Sequence, residues 1–229
     1  MRKGIQRMFG RIADTYELVN HIMTLGMDAI WRRRTARIAA GKGRVWLDVC
    51  TGTADMAINL RKYAHDNVII IAIDFCLPML RKAIRKPAAK GITFILADAS
   101  ALPFHDEVFD VVTISFATRN IYTTHSALLN CLREFQRVLR RGGKFVNLET
   151  SQPSSRLVRR LFHFYVQVVV RRLGAAISGD RAAYQYLSRT IVHFFSADKF
   201  ANILRDVGFS RVTVMPMLSG VVAIHMAVR

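Results

Sequence analysis

Acidic residues are scarce in this chain: 16 Asp and Glu stand against 34 Lys and Arg, a formal charge of +18 over 229 residues. Such an imbalance favours an anionic partner, whether nucleic acid, an anionic membrane surface or an anionic cofactor, and charge alone does not choose among them. Cysteine is scarce too. Cys50, Cys76 and Cys131 are odd in number, widely spaced and without a CxxC pair, so neither a disulfide framework nor a zinc site is indicated and a reducing cytoplasm fits best. Long apolar runs are missing as well. A spanning helix needs roughly 20 uninterrupted apolar residues, and the longest candidate, Leu161 to Val170, is half that and carries His163 and Gln167. The basic N-terminus has no apolar stretch or small-residue cleavage site behind it. Neither export nor membrane insertion is expected.

What is present alternates. β-rich apolar runs are predicted as strands at Arg44–Val49, Val68–Ile73, Thr93–Leu96, Phe109–Ser115 and Lys144–Leu148, with a late pair near Ser210–Met215 and Gly220–Ala227. Helical patterns fall between them near Met56–Tyr63, Pro78–Ile84, Thr124–Leu139 and Ala197–Val207, with an Arg141-Gly142-Gly143 turn before the fifth strand. That alternation is the mark of βαβ units and a mostly parallel, Rossmann-like α/β sheet with helices on both faces. The length suits one domain, with residues 1–43 as N-terminal helices and 151–195 as an insertion, both placed to cap the strand ends.

Three signals carry chemistry. In Leu47-Asp48-Val49-Cys50-Thr51-Gly52-Thr53-Ala54-Asp55 a strand runs through a turn of small residues into a helix, so backbone N–H groups can approach a ligand at the helix N-terminus. Asp74 ends the second strand, where a carboxylate offers two acceptor oxygens to a ribose diol. Asp98-Ala99 follows the third strand, and an acid there can receive the exocyclic amine of adenine. One glycine, Gly52, replaces the G-x-G-x-x-G that a dinucleotide's pyrophosphate needs, which argues for a methyl donor over NAD.

Asp48 to Asp55 resembles the first motif of class I methyltransferases. Nearly the whole chain is similar to the quinone-biosynthesis C-methyltransferases that act on demethylmenaquinol or on a polyprenyl methoxybenzoquinol. The specific parts are Ser115-Phe116-Ala117-Thr118-Arg119-Asn120 and Glu149-Thr150-Ser151-Gln152-Pro153, supported by Trp31-Arg32-Arg33 near the start and Tyr184-Gln185-Tyr186-Leu187 late in the chain. The chain departs from the pattern at Ala54, where a third glycine is usual, at Ala117-Thr118 in place of Gly-Leu, and at Glu17 in place of Asp. Alanine at a left-handed position costs on the order of 1 kcal/mol.

The resemblance implies S-adenosylmethionine as donor, with contacts from Thr53, Asp74, the Asp98-Ala99 pair and Ser115. Its acceptor would be a polyprenylated demethylquinol, naphthoquinol or benzoquinol. Methylating a ring carbon requires electron density there, which a deprotonated ring hydroxyl supplies. Arg119 is expected to stabilise the developing phenolate or a proton-relaying water, and Asn120 to orient the ring oxygen. His21, His163, His193 and His225 are candidate bases by pKa alone, Tyr16 and Tyr186 are either substrate contacts or core, and Cys131 reads as buried and inert.

A tail that stays in the bilayer implies a peripheral protein on the inner face of an anionic membrane. No acidic residue lies between Glu149 and Asp180, while Arg156, Arg159, Arg160, Arg171 and Arg172 bracket Leu161–Val170, as suits an interfacial helix. A homodimer is compatible with this reading. The rival is a nucleic-acid methyltransferase using the basic surface. Amino-group methylation would want an Asn/Asp-Pro-Pro-aromatic element after the fourth strand, and residues 115–120 do not supply it.

Overall fold

The computed structural model describes residues 2–41 and 43–229; Met1 and Lys42, which the reading of residues 1–43 as helical included, lie outside them. The first strand explains the architecture. In β1 (Val45–Val49) four of five side chains are buried, the continuous burial of a parallel strand covered on both faces. It pairs in parallel with β2 (Ile69–Asp74) and β4 (Phe109–Ser115). Outside β2 lies β3 (Ile92–Leu96), and outside β4 lies β5 (Leu139–Thr150). The late pair, β6 (Ser210–Met217) and β7 (Val222–Val228), completes the order β3-β2-β1-β4-β5-β7-β6, with β7 antiparallel to both neighbours.

Helices α4 (Asp55–Tyr63), α5 (Leu77–Ile84), α7 (His125–Val138) and α11 (Ala197–Val207) occupy the connections that the sequence assigns to helices. Thr124 and Ser196 cap α7 and α11 through their side-chain oxygens, each satisfying a backbone N–H that has no partner within the helix. At its N-terminus the chain forms α1 (Arg2–Ile12), α2 (Tyr16–Met23) and α3 (Met27–Ala39).

Residues 156–178 wind as α8 (Arg156–Tyr165), a π-turn at Val166–Val170 and α9 (Arg171–Ser178), followed by α10 (Arg181–Val192). A core of its own joins Ile5, Phe9, Ile12, Val19, Val166, Val170, Tyr184 and Leu187. α1 and α2 therefore pack on the segment before α11, whereas α3 packs on α4 and β5 as part of the main core.

Two local expectations are corrected. Arg141-Gly142-Gly143 lies inside β5 rather than before it: the extra residues bulge out between the pairs Phe109–Leu139 and Val111–Lys144, with Gly142 at φ +77°. Gly220 belongs to a 3₁₀ turn, and β7 begins at Val222. A helix of four residues, α6 (Thr118–Ile121), opens directly behind β4, so Arg119 and Asn120 sit on a helical turn.

Candidate functional site

Strand order reverses between β1 and β4, since the connections on either side run in opposite directions, and the crevice at such a switch point is where open α/β sheets bind ligands. Its floor is the turn after β1. Cys50, Gly52 and Ala54 all take positive φ, +54°, +56° and +70°. Ala54 thus sits in the left-handed conformation that its place in the motif implies, whereas Ala117 is at φ −124° and needs no glycine. The neighbouring left-handed position is Phe116, at φ +53°.

Two buried carboxyls hold this turn. Asp48 accepts the hydroxyls of Thr51 at 2.6 Å and Thr113 at 2.7 Å. Asp74 accepts the backbone N–H of Gly52 and of Cys76, both at 2.8 Å. Burial raises each pKa to about 6, against the hydrogen bonds that favour the ionised form. Glu17 pairs with Lys86 at 2.9 Å, and Lys86 pairs in turn with Asp55 at 2.7 Å, so the longer acid is tied to the end of the turn.

A cavity of about 120 Å³ lies over the turn. Thr53, Asp74, Asp98, Ala99 and Ser115, the residues expected to meet the donor, all line it, and so does Asn120. A second, larger cavity of about 500 Å³ is mainly apolar, walled by Met23, Trp31, Phe162, Val166, Tyr184 and Leu187 among others, and Arg119 lines it. Tyr16, Arg32 and Phe116 belong to both walls, so the two chambers meet there.

Arg119 is buried. It donates from Nη1 to Glu149 Oε1 at 2.5 Å and to the Phe116 carbonyl at 2.9 Å, while its backbone N–H reaches Glu149 Oε2 at 3.2 Å. Its Nε, and Oδ1 of Asn120, have no hydrogen-bond partner among the described residues. Buried polar atoms normally have one, so both expected reaction residues carry a group with spare capacity.

The other candidates fare differently. Burial lowers the pKa of His225 to about 4, and it is bonded to the Ala197 carbonyl. His163 bonds Gln152, His193 bonds the Arg189 carbonyl and His21 pairs with Asp28; none of the four lines either chamber. Tyr16 lines both chambers and Tyr186 neither, while Tyr184 lines the larger. Cys131 is buried, and reaches the wall of the smaller chamber. Sequence reasoning passed over Asp28, Arg32 and Glu149 as site residues. The i,i+4 spacing of Asp28 and Arg32 on one helix was the available signal.

Comparison with known proteins finds relatives along the whole chain. The family model described as the ubiE/COQ5 methyltransferase family matches residues 1–229. A demethylmenaquinone methyltransferase of Roseiflexus castenholzii is 38% identical over 98% of this chain and 93% of its own length. A ubiquinone/menaquinone biosynthesis C-methyltransferase of Desulfotalea psychrophila is 36% identical over 99% and 90%. Among solved structures, a SAM-dependent methyltransferase from Thermotoga maritima superposes with a TM-score of 0.69 at 15% identity, covering 97% of this chain and 98% of its own, and shares the fold.

Proposed function

The chain belongs to the ubiE/COQ5 methyltransferase family, an S-adenosylmethionine-dependent C-methyltransferase family of quinone biosynthesis, and we propose that its two chambers divide the labour between donor and quinol. The observation that carries this reading is the junction of a smaller, more polar chamber with a larger, strongly apolar one, with unpaired Asn120 Oδ1 and Arg119 Nε on their walls. In the smaller chamber Asp74 keeps lone pairs free for a ribose diol beyond the two N–H groups it accepts, and Thr53, Asp98, Ala99 and Ser115 surround the same space. The donor supplies an electrophilic methyl group, and the acceptor ring loses a proton in exchange.

Arg119 and Asn120 prepare the acceptor. A guanidinium with pKa above 12 is no base, but Arg119 Nε–H can stabilise a phenolate oxygen, while Glu149 fixes its orientation through Nη1. Asn120 Oδ1 accepts from a ring hydroxyl and sets the ring angle. The apolar walls of the larger chamber suit the first units of a polyprenyl tail, and residues 1–43 and 151–195 act as its cap within a single methyltransferase unit. The names carried by the relatives favour this substrate over nucleic acid.

Peripheral membrane association follows from the same tail. Leu157, Leu161 and Phe164 form an exposed face on α8 between Arg156, Arg159 and Arg160. Leu25, 90% exposed, and Leu218 stand on the rim of the larger chamber, both at positive φ. The reading of residues 115–120 is tested by Arg119→Ala. Turnover is expected to fall about a hundredfold or more, with donor Kd unchanged. Equal losses in both would make Arg119 a structural residue.

A further inference from the structure

The smaller chamber is rich in acid. Asp55, Asp74 and Asp98 line it, and among its described lining residues Arg32 is the only Arg, Lys or His. A donor of the sulfonium amino-acid class brings two positive centres and one negative, its carboxylate. In a site where acids outnumber bases, that carboxylate is placed most favourably beside the cation.

Arg32 is built for the task. Its side chain is 7% exposed, and Nη1 donates to Asp28 Oδ2 at 2.5 Å. Asp28 is held in turn by the hydroxyl of Thr24 at 2.9 Å and by His21 at 2.7 Å. The guanidinium also lies 5.1 Å from the centre of the Phe116 ring. Fixed on two sides, it keeps Nε and Nη2 without a hydrogen bond among the described residues, at the seam between the chambers.

We propose that Arg32, oriented by Asp28, is the group that binds the carboxylate of the methyl donor. This rests on the reading of the smaller chamber as the donor site. A guanidinium at that place fixes the donor's amino-acid end, and so aims the sulfonium methyl toward the larger chamber.

The test uses two ligands that share adenosine and a thioether: S-adenosylhomocysteine, which has the amino-acid carboxylate, and 5′-methylthioadenosine, which lacks it. Titration calorimetry of Arg32→Gln is expected to show affinity for the first reduced roughly tenfold to a hundredfold, the scale of a charge-assisted hydrogen bond, and affinity for the second unchanged. Asp28→Asn, which leaves the cation but loosens it, is expected to give a smaller loss with the same selectivity. Should Arg32→Gln fail to fold in a thermal melt, Arg32→Lys reads the same ratio. Equal losses for the two ligands, or no loss for either, would overturn the assignment of Arg32 alone. Failure of the parent protein to bind either ligand would overturn the donor reading with it.

Discussion

Asp74 shows how one side chain can serve both fold and ligand. It is buried at the end of β2, and its oxygens already hold the turn after β1 through Gly52 and the start of α5 through Cys76. Burial raises its pKa from 3.8 to about 6, so the folded apo protein binds a proton more readily than the unfolded chain and loses stability as pH rises through about 4 to 6. A ribose diol donates to the ionised form. Donor affinity should therefore be flat above about pH 6 and weaken below it, by up to tenfold per pH unit. Calorimetric titration across pH 5 to 8 checks this, and Asp74→Asn should bind weakly at every pH and show no such slope. At this scale the sequence is informative about residues at strand ends: Thr53, Asp74, Asp98, Ala99, Ser115 and Asn120 line one chamber. It marks Glu149 and Arg32 only as parts of motifs and gives them no role, because what they do comes from burial and from partners brought near by folding.

Among the elements, the strands and the helices that connect them were legible because burial on both faces or on one stripe leaves a period in the residues, whereas α10 lay unread within the insertion. The helix Thr118–Ile121 was not, since four residues carry no period, and the bulge in β5 follows from its pairing with β4. The run Leu161–Val170 divides in a way its composition does not reveal. Leu161 and Phe164 face outward, 61% and 64% exposed, whereas Val166 and Val170 are buried in the cap's core. The exposed apolar face is thus confined to the first half of the run for which an interfacial helix is expected. Close packing of α9 on α10 is set at Gly174, where a Cβ would stand 2.1 Å from Cδ1 of Tyr184. Gly174→Ala should cost about 1–3 kcal/mol through overpacking, lowering Tm by roughly 2–4 °C per kcal/mol in a protein of this size. Because Tyr184 lines the larger chamber, acceptor KM should rise while donor Kd holds. An unchanged melting curve would mean that the two helices separate freely.

For the molecule as a whole, the excess of 34 basic over 16 acidic residues gains a direction from the cap. Among the described residues no helix is long and apolar enough to cross a membrane, while the exposed Leu25, Leu161 and Leu218 line the larger chamber and Leu161 shares α8 with Arg156, Arg159 and Arg160. Attraction of about 1 kcal/mol per basic residue near an anionic surface is screened by salt. Co-sedimentation with anionic liposomes should succeed at low ionic strength, weaken at high salt, and fall when Arg156, Arg159, Arg160, Arg171 and Arg172 become Gln. Equal pelleting of that variant and the parent would move the membrane contact elsewhere and leave the chemistry untouched.

The chemistry itself is tested most directly by following a tritium-labelled methyl group from S-adenosylmethionine onto a purified polyprenylated demethylquinol in detergent, with the oxidised quinone and bulk RNA as parallel acceptors. Only the reduced ring can form the phenolate that drives its carbon onto the methyl group, so label is expected on the ring carbon of the quinol and on neither of the others. Label on RNA with none on the quinol, or equal labelling of quinol and quinone, would contradict the account.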